Sequence, residues 1–294
     1  MQLTVLSPAK LNLFLRVLEP GTDGYHQLQS LFVPISLFDQ IEVSLVESKY
    51  QSINISNPAT SDNPQNDLIY RACVLFCNFF NHKYNIDIKV KKNIPVGSGL
   101  GGGSSNAASI LNALNTIFAS PFTLNDLQLL GSKLGSDVPF FINPGISLIS
   151  GRGEIIHSID KFPKIKFLLI SNLMNSSTSS VYKQYDSSVK SYPKRFKETE
   201  LKKLITNLKS EDINILRGSI FNDLFKPFIE LYPDQIKFKN KIEALLNLPL
   251  FLSGSGSMFF VPLLNKELQE IKNQDMLAKF GSPNIFYKFV EVVN

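Results

Sequence analysis

The chain has 294 residues, 44% of them apolar and 19% charged, which is the composition of a folded protein with room for two domains. Its formal net charge is +5, but the basic residues are scattered, so we expect a mildly basic surface and no nucleic-acid partner. No apolar run reaches the ~18 residues that span a bilayer, and Lys10, Asn12 and Arg16 interrupt any signal-peptide core. We therefore expect a cytoplasmic protein with no membrane partner.

Strand patterns occupy much of the first half of the chain. Alternating apolar residues predict strands at 2–6, 11–18, 28–36, 40–47, 84–91, 138–142, 146–150 and 153–157, with a weaker one around 53–55. Asn66 or Asp67 can cap a helix that runs to about residue 82. The glycine-rich segment opens a helix to about residue 118, and Thr123 caps the next, with Asp126 in its first turn. Gly135 fits the position just after that helix.

The segment from Asp160 to Pro163 interrupts these patterns and divides the chain. We predict two domains, one of residues 1–158 and one of residues 159–294, the second with an α+β pattern. The second part predicts, in order, a strand at 165–171, a Ser- and Asn-rich loop at 171–180, several helices, strands at 249–252 and 257–262 around a glycine loop, a helix at 264–276 and a strand at 285–292.

A glycine-rich segment between a strand pattern and an Ala-rich helix pattern is the most informative feature of the sequence. Glycine lets a ligand approach the main chain closely, and a helix start offers unpaired N–H groups at the positive end of the helix dipole. Such a segment is suited to binding phosphate. The predicted nucleotide-binding residues are Pro95, Val96, Gly97, Ser98, Gly99, Leu100, Gly101, Gly102, Gly103, Ser104, Ser105 and Asn106.

Other interpretations of this segment fit the sequence less well. A P-loop requires a lysine after its last glycine, and here Gly103 is followed by Ser104. Gly97, Gly99 and Gly102 match the spacing of the dinucleotide fingerprint, but a second helix follows the first where that fold needs a strand. The lysine strand and His-Arg-Asp motif of protein kinases are missing from the sequence, and a flexible linker would not separate two well-patterned elements. The segment alone therefore predicts a polyphosphate ligand.

Two further segments carry candidate charged groups. Lys10 and Asn12 lie at the start of a predicted strand, just after Pro8. Asp137 lies between a predicted helix end and an apolar stretch. At that position it is either a cap or a functional carboxylate.

Together these segments resemble a known family of small-molecule kinases. The motif at residues 95–107 is similar to the ATP loop of the galactokinase, homoserine kinase, mevalonate kinase and phosphomevalonate kinase superfamily. The rest of the pattern resembles, more specifically, the 4-diphosphocytidyl-2-C-methyl-D-erythritol kinase family of the non-mevalonate isoprenoid pathway. The segments that carry this likeness are 8–13, 23–26, 134–141, 222–224 and 252–256, so that it extends over nearly the whole chain.

The resemblance implies a fold, a reaction and a set of site residues. The implied fold is a two-domain α+β kinase with a ferredoxin-like C-terminal domain. Residues 1–158 would form the N-terminal ATP-binding and catalytic domain, and residues 159–294 the C-terminal, substrate-side α+β domain. The implied reaction is ATP-dependent phosphorylation of the 2-hydroxyl of 4-diphosphocytidyl-2-C-methyl-D-erythritol. Lys10 and Asp137 are the implied catalytic residues. Mg²⁺ would arrive with ATP and could contact Ser104 and Ser105, without a dedicated protein cage. The implied substrate-binding residues are Asn12, Tyr25, His26, Thr178 and Tyr182.

The sequence leaves some alternatives open. The family's adenine-side Asn-Leu-Ile is replaced by Asp67-Leu68-Ile69, so that either Asn66 or Asp67 meets the nucleotide. The chain could phosphorylate another alcohol, or could be a non-catalytic nucleotide-binding relative. The Asp23-Gly24-Tyr25-His26 segment favours capture of a cytidine, and the presence of Lys10 with Asp137 favours catalysis. We expect a small-molecule substrate and a monomer or weak homodimer.

Overall fold

The computed structural model describes residues 1–56, 64–80, 82–209, 213–216, 218–263 and 285–293. Its strands are β1 (Gln2–Pro20), β2 (His26–Ser48), β3 (Ser52–Ser56), β4 (Lys83–Lys91), β5 (Ser147–Gly151), β6 (Ile155–Ser158), β7 (Lys166–Ser171), β8 (Phe221–Asn222), β9 (Phe251–Leu252), β10 (Phe259–Leu263) and β11 (Phe286–Glu291). Its helices are α1 (Leu68–Cys77), α2 (Gly102–Ile117), α3 (Leu124–Ser132), α4 (Val138–Ile142), α5 (Thr178–Ser188), α6 (Glu198–Asn207), α7 (Ile213–Leu216), α8 (Phe225–Leu231) and α9 (Asp234–Leu246). The predicted helix at 264–276 lies outside the described residues.

The two longest strands, β1 and β2, pair antiparallel at the centre of the first sheet. The sequence pattern predicts each of them as two shorter strands, and this prediction is wrong. The two strands stay paired across the apparent breaks in the pattern. Their register shifts after Pro8, Asn12 and Val17. A bulge leaves a residue unpaired and bends a strand without ending it, so that a lost alternation does not mark a strand end.

Helices pack on the first sheet and bring the glycine-rich segment to β1. Within the described residues the sheet has the order β3-β4-β2-β1-β8, with β5 paired to β2 and β6 to β5. Helix α2 packs against β1, and its Ala107 and Ala108 are fully buried. Because these side chains are small, the helix can lie close to the strand. The N-terminus of α2 is thereby set beside Lys10 of β1.

The helix caps test the boundary predictions. Thr123 and Asp126 form a capping box at the start of α3, which confirms that prediction. Asp67 caps α1 through Ile69 N at 2.8 Å. This helix ends at Cys77, before the predicted residue 82. The prediction for Gly135 is wrong, because α3 already ends at Ser132 with Lys133 as its C-cap.

The apolar stretch Val138–Ile142 forms the short helix α4, so that the predicted strand there is wrong. All five of its residues are buried. A fully buried segment shows no polar side, and a short apolar run therefore fits a strand or a helix equally well. Asp137 lies directly before this helix, and its side chain makes no capping hydrogen bond.

The second sheet has the order β11-β7-β10-β9 among the described residues, and its neighbouring strands are antiparallel. This order is consistent with a ferredoxin-like βαββαβ arrangement. Because the chain between β10 and β11 lies outside the described residues, that assignment stays a prediction.

The predicted domain boundary near residue 158 also stays a prediction. Two pairings join later residues to the first sheet: β8 pairs with β1, and Val292 bridges to Ile35. The architecture as a whole is α+β, as predicted. In the part of the chain that is described, no helix has the length and apolarity needed to cross a bilayer.

Candidate active site

The described residues enclose a cavity of about 440 Å³ beside the glycine-rich segment. Stretches far apart in the sequence meet there, since Lys10, Asn12, Asp137, Thr178 and Tyr182 all line it. The predicted nucleotide-binding residues that line it are Pro95, Val96, Gly97, Ser98, Gly99, Leu100, Gly101, Gly102, Gly103, Ser104 and Asn106. The cavity therefore joins the predicted phosphate-binding segment to the predicted catalytic pair.

The carbonyl groups of the glycine-rich segment point into the protein. The Gly97 carbonyl accepts a hydrogen bond from Ser176 N at 3.1 Å, and the Ser98 carbonyl accepts one from Met258 N at 3.0 Å. Both donors come from the second half of the chain. The segment is thus held in place by main-chain groups that follow β7 and precede β10.

The next two carbonyls are anchored by β1 and by the loop after β9. The Gly99 carbonyl accepts from Lys10 Nζ at 3.1 Å and from Ser253 Oγ at 3.2 Å. The Leu100 carbonyl accepts from Lys10 N at 3.0 Å. Lys10 therefore fixes the loop with its main chain and its side chain at once.

The direction of these carbonyls sets the direction of the amides. In a trans peptide the N–H of the following residue points away from the carbonyl oxygen. The amides of residues 98–101 therefore point away from the anchoring groups, and their residues line the cavity. No described protein group accepts a hydrogen bond from these four amides. They form a row of donors suited to phosphate oxygens.

Gly99 shows how closely the loop is packed. Its φ is +78°, and a Cβ atom on it would overlap the carbonyl oxygen of Ser253. A glycine is required here both by the backbone conformation and by the close approach of the second loop. The glycine loop after β9, residues 253–257, is thereby locked against the first.

The start of α2 separates the two predicted serine contacts. Ser104 lines the cavity, whereas Ser105 is fully buried and does not. The Ser7 hydroxyl lies 2.7 Å from the Ser105 hydroxyl and 2.8 Å from Asn106 Oδ1. Ser105 therefore ties α2 to β1, and of the two hydroxyls only that of Ser104 borders the cavity.

Lys10 and Asp137 face each other across the cavity. Lys10 Nζ lies 3.8 Å from Asp137 Oδ2, and the ammonium is also 4.7 Å from the centre of the Phe32 ring. The Lys10 side chain is almost fully buried, whereas that of Asp137 is 30% exposed. Burial lowers the pKa of Lys10 below its ordinary value, and the Asp137 carboxylate opposes part of that shift.

Asn12 is fixed by a chain of buried hydrogen bonds. Its Oδ1 accepts from Lys10 Nζ at 2.5 Å, and its Nδ2 donates to Ser30 Oγ at 2.9 Å. The Ser30 hydroxyl in turn donates to the Phe14 carbonyl. Because both ends of the amide have partners, its orientation is set before any ligand binds, with one N–H left to donate.

Helix α5 carries two predicted substrate residues on one face. The Thr178 hydroxyl lies 2.8 Å from that of Ser255, and one turn later Tyr182 also borders the cavity. Burial raises the pKa of the Tyr182 hydroxyl, and the Asp137 carboxylate raises it further. The Tyr182 hydroxyl is therefore a donor at any physiological pH.

Tyr25 and His26, the remaining predicted substrate residues, do not line the cavity. His26 lies next to it, with its ring 5.7 Å from that of Tyr182. Its Nδ1 is 2.9 Å from the Leu18 carbonyl, and its Nε2 is 2.7 Å from Asp186 Oδ1. These two contacts fix the orientation of the ring. Tyr25 is 59% exposed.

The sequence reasoning missed a buried pair beside the cavity. Lys92 lines the cavity, and its ammonium donates to the carboxylate of Asp39, which is fully buried. Asp39 also accepts from Asn93 N at 2.7 Å and Ile94 N at 2.9 Å. The available signal was an aspartate between two apolar strand patterns that the structure joins into one strand, a position at which a buried charge needs partners. Asp39 fixes the segment that leads into the glycine loop.

Asn66 and Asp67 both line the cavity. Asp67 is buried and caps α1, whereas Asn66 is exposed. A carboxylate that caps a helix is less able to contact a ligand than the side-chain amide of Asn66.

In the described residues, no group of three or more His, Cys, Asp or Glu side chains is arranged to hold a metal ion.

Comparisons with known proteins decide the family. Residues 67–145 match the model of the GHMP kinases N terminal domain. A 4-diphosphocytidyl-2-C-methyl-D-erythritol kinase of Methylacidiphilum infernorum is 38% identical over 89% of this chain and 86% of its own length. One from Bacillus pumilus is 32% identical over 88% of both chains. The chain belongs to the 4-diphosphocytidyl-2-C-methyl-D-erythritol kinase family.

A solved structure extends this likeness to three dimensions. The crystal structure of a 4-(cytidine 5′-diphospho)-2C-methyl-D-erythritol kinase matches 99% of this chain and 100% of its own, with a TM-score of 0.76 at 26% identity. The resemblance found in the sequence is therefore confirmed for the family and for its kinase fold.

Proposed function

We infer that this chain, as a member of the kinase family, transfers the γ-phosphoryl group of ATP to the 2-hydroxyl of 4-diphosphocytidyl-2-C-methyl-D-erythritol. The observation that carries the proposal is the Lys10–Asp137 pair, 3.8 Å apart, in the same cavity as the amides of residues 98–101. An ammonium and a carboxylate beside a row of phosphate donors are what phosphoryl transfer to an alcohol needs.

The phosphate end fits a nucleotide. The amides of residues 98–101 and the start of α2 would hold the phosphates, with the dipole of α2 adding favourable potential. Ser104 and Asp137 line the cavity and are the residues that would contact a Mg²⁺ ion carried by ATP. Such an ion neutralises phosphate charge and usually keeps several waters, so it needs few protein ligands. Asn66 is the proposed adenine contact.

The reaction forms one bond and breaks one. The substrate hydroxyl oxygen bonds to the γ-phosphorus, the bond from that phosphorus to the β,γ-bridging oxygen breaks, and ADP leaves. Asp137 takes the hydroxyl proton, because its carboxylate is partly exposed to the cavity and is not used as a helix cap. Lys10 supplies positive charge to the transferred group while it holds the loop through the Gly99 carbonyl.

The cytidine end of the substrate lies, in this proposal, near His26, Tyr25 and Tyr182. Asn12 and Thr178 line the same cavity as Asp137 and are the proposed contacts that orient the alcohol. The location in the cytoplasm and the state of monomer or weak homodimer stay predictions.

The direct test is substrate-dependent release of ADP. We expect turnover with the diphosphocytidyl alcohol and ATP, inhibition of that turnover by cytidine 5′-diphosphate, and no comparable turnover with mevalonate, homoserine or galactose. Preference for one of the other alcohols would identify a different kinase of the superfamily. ATP binding without turnover of any of the four would identify a non-catalytic relative.

A further inference from the structure

Among the described residues, a cation covers one face of the Tyr25 ring. The Arg152 guanidinium lies over it, with Cζ 4.0 Å from the ring centre. A cation at this distance from an aromatic face is attracted to it. Because the side chain of Tyr25 is otherwise more than half exposed, its second face is accessible.

Asp23 holds Arg152 and Tyr25 together. One carboxylate oxygen, Oδ2, is 3.1 Å from Arg152 Nη1, and the other, Oδ1, accepts from Tyr25 N at 3.0 Å. The same carboxylate therefore fixes the main chain of the tyrosine and the guanidinium that stacks on its ring. The three residues form one unit next to His26 in the chain, whose ring lies 5.7 Å from that of the cavity residue Tyr182.

The turn that carries Arg152 also touches the catalytic segment. Arg152 lies between β5 and β6, and its N–H donates to Glu154 Oε2 at 2.8 Å. The next residue, Gly153, packs so closely that a Cβ atom on it would lie 2.5 Å from the carbonyl oxygen of Ser136. Ser136 directly precedes Asp137. One short turn thus contacts both the Tyr25 loop and the segment of the proposed base.

We propose that Arg152 is a positioning residue that presents the free face of Tyr25 to the cytosine of the substrate. A ring can stack on a base with one face while a cation occupies the other. The turn at residues 151–154 keeps this stacking surface at a fixed distance from Asp137. This assignment rests on the proposed function, and it gives a role in substrate binding to a residue that the phosphoryl transfer itself does not need.

The test compares three variants by steady-state kinetics. We expect Arg152→Ala to raise KM for the diphosphocytidyl alcohol about three- to tenfold, while kcat and KM for ATP stay near those of the unchanged enzyme. Arg152→Lys keeps the charge but loses the flat guanidinium, and should give a smaller rise. The control is Lys202→Ala, which removes an exposed, ion-paired cation of α6 and should change neither constant.

A double substitution separates positioning from a general structural role. If Arg152 acts through the ring, Arg152→Ala should raise KM little further in a Tyr25→Leu background. An equal rise in both backgrounds, or a rise in KM for ATP as well, would overturn the assignment. An unchanged KM in Arg152→Ala, with an active parent enzyme, would also overturn the assignment but would leave the proposed function intact. A parent enzyme that does not phosphorylate the cytidyl substrate would overturn both.

Discussion

The two ends of the candidate site are built in different ways. The phosphate end consists of main-chain groups and buried charges, in which the glycine segment is held through its carbonyls and Lys10 is almost fully buried. The proposed cytidine end consists of side chains in pairs, Tyr25 with Arg152 and His26 with Asp186. Tyr25 is 59% exposed and the Asp186 side chain is 50% exposed, whereas the His26 side chain is 11% exposed.

This difference predicts the size of the effects that substitutions have. A buried polar group that loses its partner is left without water to replace it, whereas an exposed pair is replaced by water at little cost. Substitutions at the phosphate end should therefore act strongly on catalysis or folding. Those at the cytidine end should act weakly, and on the binding of one substrate only.

The largest effect is expected from Asp137→Asn. Because this change removes the proposed base and keeps the shape, kcat should fall by about 10²–10⁴-fold. The melting temperature should fall modestly, because the buried Lys10 ammonium loses one partner but still donates to Asn12 Oδ1 and the Gly99 carbonyl. The control is Asp126→Asn, which weakens the capping box of α3 and should lower the melting temperature with no effect on kcat. A near-normal kcat in Asp137→Asn would remove the carboxylate from the mechanism.

The next largest effect is expected from Gly99→Ala, which tests how closely the glycine loop packs. Gly99→Ala and Gly24→Ala both place a side chain at a positive φ, of +78° and +79°, which costs about 1–2 kcal/mol. At Gly24 nothing lies within 4 Å, whereas at Gly99 the new Cβ overlaps the Ser253 carbonyl. We expect urea unfolding to show an additional loss of ~1–3 kcal/mol for Gly99→Ala, together with weaker ATP binding. Equal losses in the two variants would contradict the close contact of the two loops.

The charge of Lys10 predicts a pH dependence. Its pKa is lowered, mainly by burial, so its proton leaves at a lower pH than that of an ordinary lysine. As the pH rises the ammonium is lost, and kcat should fall on the alkaline side. Asp137→Asn removes the carboxylate that partly offsets the effect of burial, so the pKa of Lys10 should fall further. The alkaline fall of the residual activity should therefore move to lower pH. A pH–rate profile of both enzymes checks this, and a limb that moves the other way would show that another group titrates.

The smallest effect is expected from Asp186→Asn. The exposed carboxylate holds His26 at 2.7 Å, and its loss should raise KM for the cytidyl substrate about two- to fivefold with kcat unchanged. Glu47→Gln is a matched control, because Glu47 pairs with His82 at 2.9 Å away from the cavity. Should Asp186→Asn reduce kcat as strongly as Asp137→Asn, the contrast between the two ends would not hold.

Local patterns carried most of what could be predicted from the sequence. The alternation of β4 and the cap at Thr123 depend on neighbouring residues, and both are found in the structure. The helix at Val138–Ile142 was missed because its burial hides its period.

The contacts that shape the phosphate end could not be predicted from local patterns. Gly97 and Ser98 are anchored by Ser176 and Met258, and the Gly99 carbonyl accepts a hydrogen bond from Ser253. Such pairings depend on the register of strands and on loop packing, which the patterns of single segments do not contain. The family resemblance supplied the identities of Lys10 and Asp137, but not the groups that hold them.

The anchors of the glycine segment have a consequence for the newly made protein. Ser176, Ser253 and Met258 leave the ribosome long after Gly97 and Gly99. Contacts between residues so distant in the chain form late. We therefore expect a nascent chain to pair strands β1 to β6 without a nucleotide pocket, and an unfinished copy to compete neither for cellular ATP nor for the isoprenoid precursor.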